Sequence, residues 1–553
     1  MATTTEEKKV SYDTIHRNGP WPVEVLYRTR LASRNASADT RSDALRRYND
    51  AGEEIQRLLQ ACLDDPKKPR FRAYGSSWSL SKVVHSDRMH FNAPMNVKIP
   101  LETDDLHSNT RYQHENLFFF QCGNTVKEIS RQLKKTGKSL KMSGASNGQT
   151  IAGAVSTGVH GSALKAGSIQ DCVVGIQLII GPKPEDRVYL EKASDPALSD
   201  GFAQQLHCRV IRNDGLFQAA LVSMGGFGFI AGLVIEAEDQ FLLKRYTKHI
   251  KPKDALKLAQ TLDFKNSAFT IDGEKHPDGS GKTPYHYKLY INPYNQKEDY
   301  LTEIIYRHPY RTNYPKPQPL VEKFIYTDMP GWIAKLVTVD FKRIPKLMKL
   351  MQGTLFPKVD QVTEGTLGEI FWDTTIKGNS AGFAWAFGVD QSNATKAIQL
   401  FIELANQKGP VPGAIGVRFI PATQATLGFT KFPMTCIVEM DGLQWQPMRV
   451  PWGKRKSGLG WRKRQMPSMK AFEKEIVKGL QKAGIPFTWH WGKNCAWEHP
   501  GLVKHMFGER MEEWMRYRSA LLRPETAHLF SNDFMDITGL SAYTPPDSEM
   551  PFS

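Results

Sequence analysis

The residues with the most evident chemical use are glycines and hydroxyl-bearing residues gathered into three short tracts. The longest is SGASNGQTIAGAVSTGVHGSA, Ser143 to Ala163, in which Gly144, Gly148, Gly153, Gly158 and Gly161 fall among small or hydroxylic neighbours. Glycine admits positive φ and close approach of backbone to a ligand, and successive inward-pointing amides make an anion-binding concavity. Such a tract can hold a pyrophosphate, and it can equally be a tight turn in a sheet. AYGSSWSLS (Ala73 to Ser81) and MGGFGFIAGLVIEAE (Met224 to Glu238) add two turns of the same kind, and three together are hard to explain by packing alone. A carboxyl also stands out. Glu439 lies in the apolar run CIVEMDG, where burial would raise its pKa and suit it to accept a proton; a solvated glutamate on an edge strand is the alternative.

Two phosphate-loop look-alikes fail on context. Gly226, Gly228 and Ala231 come near the dinucleotide pattern, but the strand-like LVIEAE follows where a helix N-terminus is required. GSGKT, Gly279 to Thr283, has His276 where the first glycine of a P-loop belongs and Pro284 directly after it.

The elements that must position these tracts are legible in the periodicity. Ala44, Leu45, Tyr48, Ile55, Leu58 and Leu59 recur at helical spacing, with Gly52 arguing against one unbroken helix. FRAY before the first turn, NLFFFQCG and DCVVGIQLIIG read as strands, and Thr125 and Gly137 bracket a helix over TVKEISRQLKKTG. From about Phe241 to Pro486 strand-like stretches such as YHYKLYINPY, AGFAWAFGVD and MTCIVEMDG alternate with helical ones such as NATKAIQLFIELANQKG, as in an antiparallel sheet with helices on one face. The aromatics of this interval read mostly as core. The stripe Phe383, Trp385, Phe387, on one face of a strand, would favour a bulky, less polar substrate if it lined a pocket.

Composition bounds the class. The chain has 553 residues, 40% hydrophobic, enough for two to four folded lobes. MATTTEEKKV lacks the form of a secretory signal and no run approaches a membrane span, so a cytoplasmic protein without a transmembrane segment is expected, and the sequons at Asn35 and Asn393 carry no meaning. Six scattered cysteines without a CxxC pair argue for buried thiols and against a metal cluster. The net charge of +16 fits an anionic substrate or peripheral contact with an anionic membrane as well as nucleic acid. Its densest run, Arg449 to Arg464, is broken by glycines and proline and reads as a surface loop, placed by its position in the chain as a lid over a cleft.

In order and spacing the three tracts resemble the FAD-binding domain of the vanillyl-alcohol-oxidase superfamily, of the PCMH type. TIAGAVSTGVHGS together with HWGK in PFTWHWGKN (Pro486 to Asn494) is similar to the aldonolactone and alditol oxidase branch. The resemblance covers residues 65–240 and 485–500 and is faint between. It implies an α+β fold: a PCMH-type FAD-binding domain of two α/β subdomains over 1–240, an antiparallel-sheet cap domain over 241–485, and a C-terminal segment, 486–553, returning to the flavin. It implies Tyr74, Gly75, Ser76, Ser77, Trp78 and Ser79 around the phosphates. Ser143, Gly144, Asn147, Gly148, Gly153, Ser156, Thr157, His160, Gly161 and Ser162 would line the cofactor, with Gly226, Gly228 and Ile230 closing on it. Members that attach flavin covalently use a histidine in the first turn; Gly75-Ser76-Ser77 here leads us to expect dissociable FAD.

The activity so implied is oxidation of a CH–OH group of a small alcohol by hydride transfer to the flavin N5, with O2 as acceptor and H2O2 as product. A same-fold dehydrogenase using another acceptor is not separated from it by sequence, and a basic nucleic-acid- or lipid-binding protein with degenerate motifs is the reading from another class. Lys493 matches the lysine that the family places at flavin and substrate, with His490 beside it in a direct or a packing role. Arg418 in GVRF matches the arginine of a Glu-x-Arg pair, but Gly416 stands where the glutamate belongs; Glu439 is the candidate to replace that carboxylate or to accept the proton. The oligomeric state is left open.

Overall fold

Asp39 accepts hydrogen bonds from the amides of Arg41 and Ser42 and starts a helix that runs unbroken from Thr40 to Asp64. The structure, a computed structural model, describes residues 1–35, 39–317, 344–346, 348–349, 358–371, 382–443 and 468–545. Gly52 does not interrupt this helix, for a packing reason. The buried Arg187 guanidinium lies so close that a Cβ at Gly52 would stand 2.8 Å from Nη2, and Nη2 donates to Asn49 Oδ1 at 2.7 Å. Seating that arginine offsets the roughly 1 kcal/mol that glycine costs in a helix interior.

Twenty strands are described. A four-stranded sheet joins β1 (Thr3–Tyr12), β2 (Trp21–Arg30), β3 (Phe71–Tyr74) and β4 (Arg88–Phe91) in the order β1-β2-β4-β3. The hairpin β1–β2 was not anticipated, because its exposed, charged first strand carries little apolar alternation. A six-stranded sheet orders β5 (Lys98–Ile99), β6 (Leu117–Gln121), β8 (Val173–Ile179), β9 (Arg187–Glu191), β10 (Arg209–Arg212) and β11 (Phe229–Glu236) as β10-β9-β8-β11-β6-β5, while β7 (Lys138–Ser139) pairs with β12 (Glu238–Asp239). β8 is buried along its whole length and β11 along all but its last residue, which is why each reads as a continuous apolar run. The helix Val126–Lys135 starts at a Thr125–Glu128 capping box and is followed by Gly137 at φ +72°. The α+β class is as expected.

The third sheet has eight antiparallel strands: β13 (Phe241–Ile250), β14 (His286–Ile291), β15 (Tyr300–Pro309), β16 (Val362–Gly365), β17 (Gly382–Asp390), β18 (Gly413–Pro421), β19 (Met434–Leu443) and β20 (Phe487–Trp489), in the order β16-β13-β15-β14-β18-β19-β17-β20. Its two faces differ sharply. Phe383, Trp385 and Phe387 point at the helices Ala394–Gln407 and Met469–Lys482, against Phe401, Phe472 and Trp489, and the Trp385 indole donates to Glu473 at 3.0 Å. All three are fully buried in that layer, so the stripe belongs to the core, the reading expected for most of these aromatics, rather than to a substrate pocket, with each ring filling helix–sheet space. The opposite face is charged. Cross-strand pairing sets Glu303, Lys288, Arg418 and Glu439 on it in neighbouring positions.

The basic run Arg449 to Arg464, with its lid role, and Trp372 lie outside the described residues. No helix among the described residues is long and apolar enough to cross a membrane.

Candidate active site

Three sequence-distant motifs meet at the charged face. The HWGK segment follows β20 and docks on the first glycine-serine turn: the Leu80 amide donates to the Gly492 carbonyl at 2.8 Å and Ser81 Oγ to the Trp491 carbonyl at 2.7 Å. His490 packs against His160 of the long tract, ring centroids 5.4 Å apart, and Phe429 completes a triangle of rings at about 5 Å from each. The long tract and the first turn interlock where only glycine fits: a Cβ at Gly148 would stand 2.8 Å from the Trp78 ring, and one at Gly75 2.0 Å from Thr150 Oγ1. The loop after β1 closes the group from outside, its Ile15 amide bonding the Ser77 carbonyl at 3.0 Å and its His16 carbonyl accepting from Gly382 at 3.0 Å.

At the centre is a buried ion cluster. Glu439, 2% exposed, pairs with Arg418 and stands 3.4 Å from Lys288 Nζ. It lies on an inner strand of the sheet, so the solvated edge reading is set aside. The expected pKa direction is corrected as well: burial works to raise its carboxyl, but Arg418, Lys288 and Lys493 outweigh burial and hold it well below the usual range. Glu439 also faces Gly416 across the strand pair, and a Cβ at Gly416 would come within 2.8 Å of Glu439 Oε1. The carboxylate thus occupies the space into which a side chain at 416 would grow. Lys493, partly exposed, reaches Asp441 at 3.4 Å.

The two histidines are neutral. Burial, then Lys493 and Arg418, lower His490 to about 3; burial, Arg418 and His490 hold His160 far below its ordinary value. His160 Nδ1 is 3.0 Å from the Gly161 carbonyl and must carry its proton, whereas His490 Nδ1 accepts the Gly492 amide at 3.0 Å and leaves the proton on Nε2.

Other expected residues are distributed less evenly. The Tyr74 ring sits in a cluster with Tyr12 and Phe91. The Ser156 and Thr157 hydroxyls bond back to the Ala152 and Gly153 carbonyls of their own helix. Gly226 gives its carbonyl to Arg518 and packs on Trp514, both of the helix Glu509–Leu521, and Gly228 abuts the Ile179 carbonyl of β8. Sequence reading missed His286, Glu303 and Lys288, which complete the charged face; alternation with Tyr287 and Leu289 on one strand was the available signal. A cofactor fits the interlocked turns. Asn147 Nδ2, Gln149 Oε1 and Thr150 Oγ1 are buried there without a protein partner, and such atoms are satisfied by a bound polar group. Among the described residues no group of three or more His, Cys, Asp or Glu could hold a metal ion.

Residues 50–183 match a family described as an FAD binding domain. The chain is 30% identical over 127 residues to a putative D-arabinono-1,4-lactone oxidase of Neurospora crassa, a stretch that is 23% of this chain and 19% of that protein. The chain thus spans about a fifth of that relative's length. It is 21% identical to an L-gulono-1,4-lactone dehydrogenase of Mycobacterium tuberculosis over 84% of this chain and 89% of the other. Among solved structures a solvent-stable cholesterol oxidase superposes with a TM-score of 0.60 at 13% identity, covering 96% of this chain and 98% of that one.

Proposed function

Because the chain is an FAD flavoprotein of the vanillyl-alcohol-oxidase/PCMH superfamily, in its aldonolactone-oxidase-like branch, we propose that it oxidises a CH–OH group of a small hydroxylated molecule and passes the electrons to O2, giving H2O2. The observation that carries this reading is the buried Arg418–Glu439–Lys288 cluster facing His160 and His490 beside the interlocked turns. FAD, when bound, supplies the two-electron oxidation. Ser76, Ser77, Ser79, Asn147, Gln149 and Thr150 hold it, without a covalent link at Ser76. Arg418 and Lys493 place positive charge where a substrate oxygen becomes negative. Glu439 accepts a substrate hydroxyl and stands in for the carboxylate missing at Gly416. His490 offers its Nε2 hydrogen, and His160 Nε2 a lone pair. A face of this polarity favours a polyhydroxylated lactone or alcohol over the apolar substrate that the aromatic stripe suggested.

A dehydrogenase with another acceptor is the second reading, favoured by the likeness to the mycobacterial protein along most of both chains. Anaerobic reduction by a panel of lactones, polyols and alcohols, followed by air, separates the two: fast reoxidation with stoichiometric peroxide is expected, and a flavin that stays reduced in air would favour the dehydrogenase. Acid precipitation should leave all flavin in the supernatant; flavin retained on the pellet would contradict the dissociable attachment.

A further inference from the structure

Ser162 ends the long tract and His286 opens β14, and their side chains meet where the two halves of the molecule join. His286 Nδ1 lies 2.7 Å from Ser162 Oγ, and its Nε2 stands 3.1 Å from Glu303 Oε1 on β15, a charge contact bent away from a straight hydrogen bond. Backbone fixes this arrangement: the Leu164 amide donates to the Tyr285 carbonyl at 2.8 Å, and Ala163 bridges to His286. All three polar side chains are buried, and the imidazole rests edge-on to Phe371, centroids 5.1 Å apart. A carboxylate can only accept, so the proton of a neutral His286 sits on Nε2. Nδ1 then takes the Ser162 hydroxyl hydrogen, and Ser162 Oγ is left with its lone pairs for another partner.

We propose that Ser162, His286 and Glu303 are the proton-accepting relay of the oxidation: the substrate hydroxyl gives its proton to Ser162 Oγ as Ser162 gives its own to His286 Nδ1. The proposal rests on the oxidoreductase reading above, with bound FAD as the oxidant. The O–H bonds of substrate and Ser162 break; a new O–H forms on Ser162 and an N–H on His286. The C–H hydrogen leaves with its electron pair to the FAD, and the carbon becomes a carbonyl. The imidazolium so formed is balanced by Glu303, which Arg245 at 3.8 Å helps hold as a carboxylate. After product leaves, the proton returns through the same two contacts to water entering the site. Ser162 is the group that touches substrate; His286 and Glu303 position and relay through it, as the base and carboxylate of a hydrolytic triad do, but with no covalent intermediate.

The charged groups facing His286 are Glu303 from β15, Lys288 from its own strand and Arg418 from β18. Burial, with Lys288 and Arg418, lowers its pKa against the pull of Glu303, so it rests neutral and able to accept a proton.

Two variants and one spectrum test the relay in the FAD-loaded enzyme and in the protein alone. His286→Asn keeps a polar atom near the Nδ1 position but cannot take up a proton. Its kcat should fall about 100-fold or more with KM little changed, and the acid limb of the kcat–pH profile should vanish. Ser162→Ala should lose a similar factor, and His286→Asn should bind FAD as the unaltered protein does. In ring-15N-histidine-labelled protein, the signal lost in His286→Asn should show Nε2 protonated and Nδ1 bare, a result that needs no turnover. A His286→Asn enzyme within about threefold of the parent with its acid limb intact, or an Nδ1-protonated His286, would overturn the relay. If no lactone, polyol or alcohol reduces the flavin of the unaltered protein, the oxidoreductase reading fails and takes the relay with it.

Discussion

Glu439 and Gly416 oppose each other across one strand pair, and the carboxylate fills the volume that a side chain at 416 would claim. If Glu439 supplies the carboxylate that the resemblance places at 416, moving it back should restore function. Glu439→Gln, which removes the negative charge between two buried cations, should cost about 3–5 kcal/mol of stability and most of kcat/KM. The double variant Gly416→Glu/Glu439→Gly should recover activity well above either single variant, a coupling read directly from a double-mutant cycle. Strict additivity would show that the two positions act independently. Glu439 is legible here from its strand context, and Arg418 through the resemblance to a Glu-x-Arg pair. The sign of the Glu439 shift is not, since Lys288 lies far away in sequence and reaches Glu439 only through the order β14-β18-β19.

At the scale of elements, the strand β17 and the helix Met469–Lys482 are stapled by Trp385 donating to Glu473, a carboxyl that burial raises to about 7. An unfolded glutamate ionises near 4.5, so between these values the folded chain holds a proton that the unfolded chain has lost. This group's contribution is fully present below pH 4.5 and is lost as pH rises toward 7. Glu473→Gln keeps the acceptor and removes the titration. It should raise the melting temperature at pH 8, with a gain of roughly 3 kcal/mol, and change little at pH 4.5; equal effects at both pH values would refute the assignment. Elements with clean periodicity, such as β8, β11 and the capped helix Val126–Lys135, were readable from sequence. The hairpin β1–β2 was not, because what fixes it is pairing with β4 and the bond from Ile15 to Ser77. The stripe of β17 is legible as one face of a strand but what packs on that face is not, since alternation gives a face and not what covers it.

Across the whole molecule, buried neutral histidines gather where the first two sheets meet the third. His16 is held at about 4 by burial and Lys493, His490 at about 3, and His160 and His286 also lie below their ordinary values. Unfolded histidine takes a proton near 6.5, so each of these supports the fold above that pH and withdraws support as pH falls toward its folded value. Acidification from pH 7.5 to 5 should therefore release flavin before the chain unfolds, followed by flavin fluorescence alongside far-UV circular dichroism. Flavin retained unchanged to pH 5 would count against a junction weakened by these four groups.

The contacts that close the first turn come late in the chain. Trp491 and Gly492 accept from Ser81 and Leu80, and Arg72 donates to Asn532 at 3.1 Å. A nascent chain that has emerged through residue 240 has all three glycine tracts but none of these partners. At roughly 5–20 residues per second, the remaining 300 or so take on the order of 15–60 s to appear. During that interval the early half must persist without the late partners of Arg72 and the Ser81 hydroxyl, Arg72 keeping only its bond to the Met224 carbonyl at 2.6 Å. The first turn therefore gains its full set of contacts only when the last elements have been made.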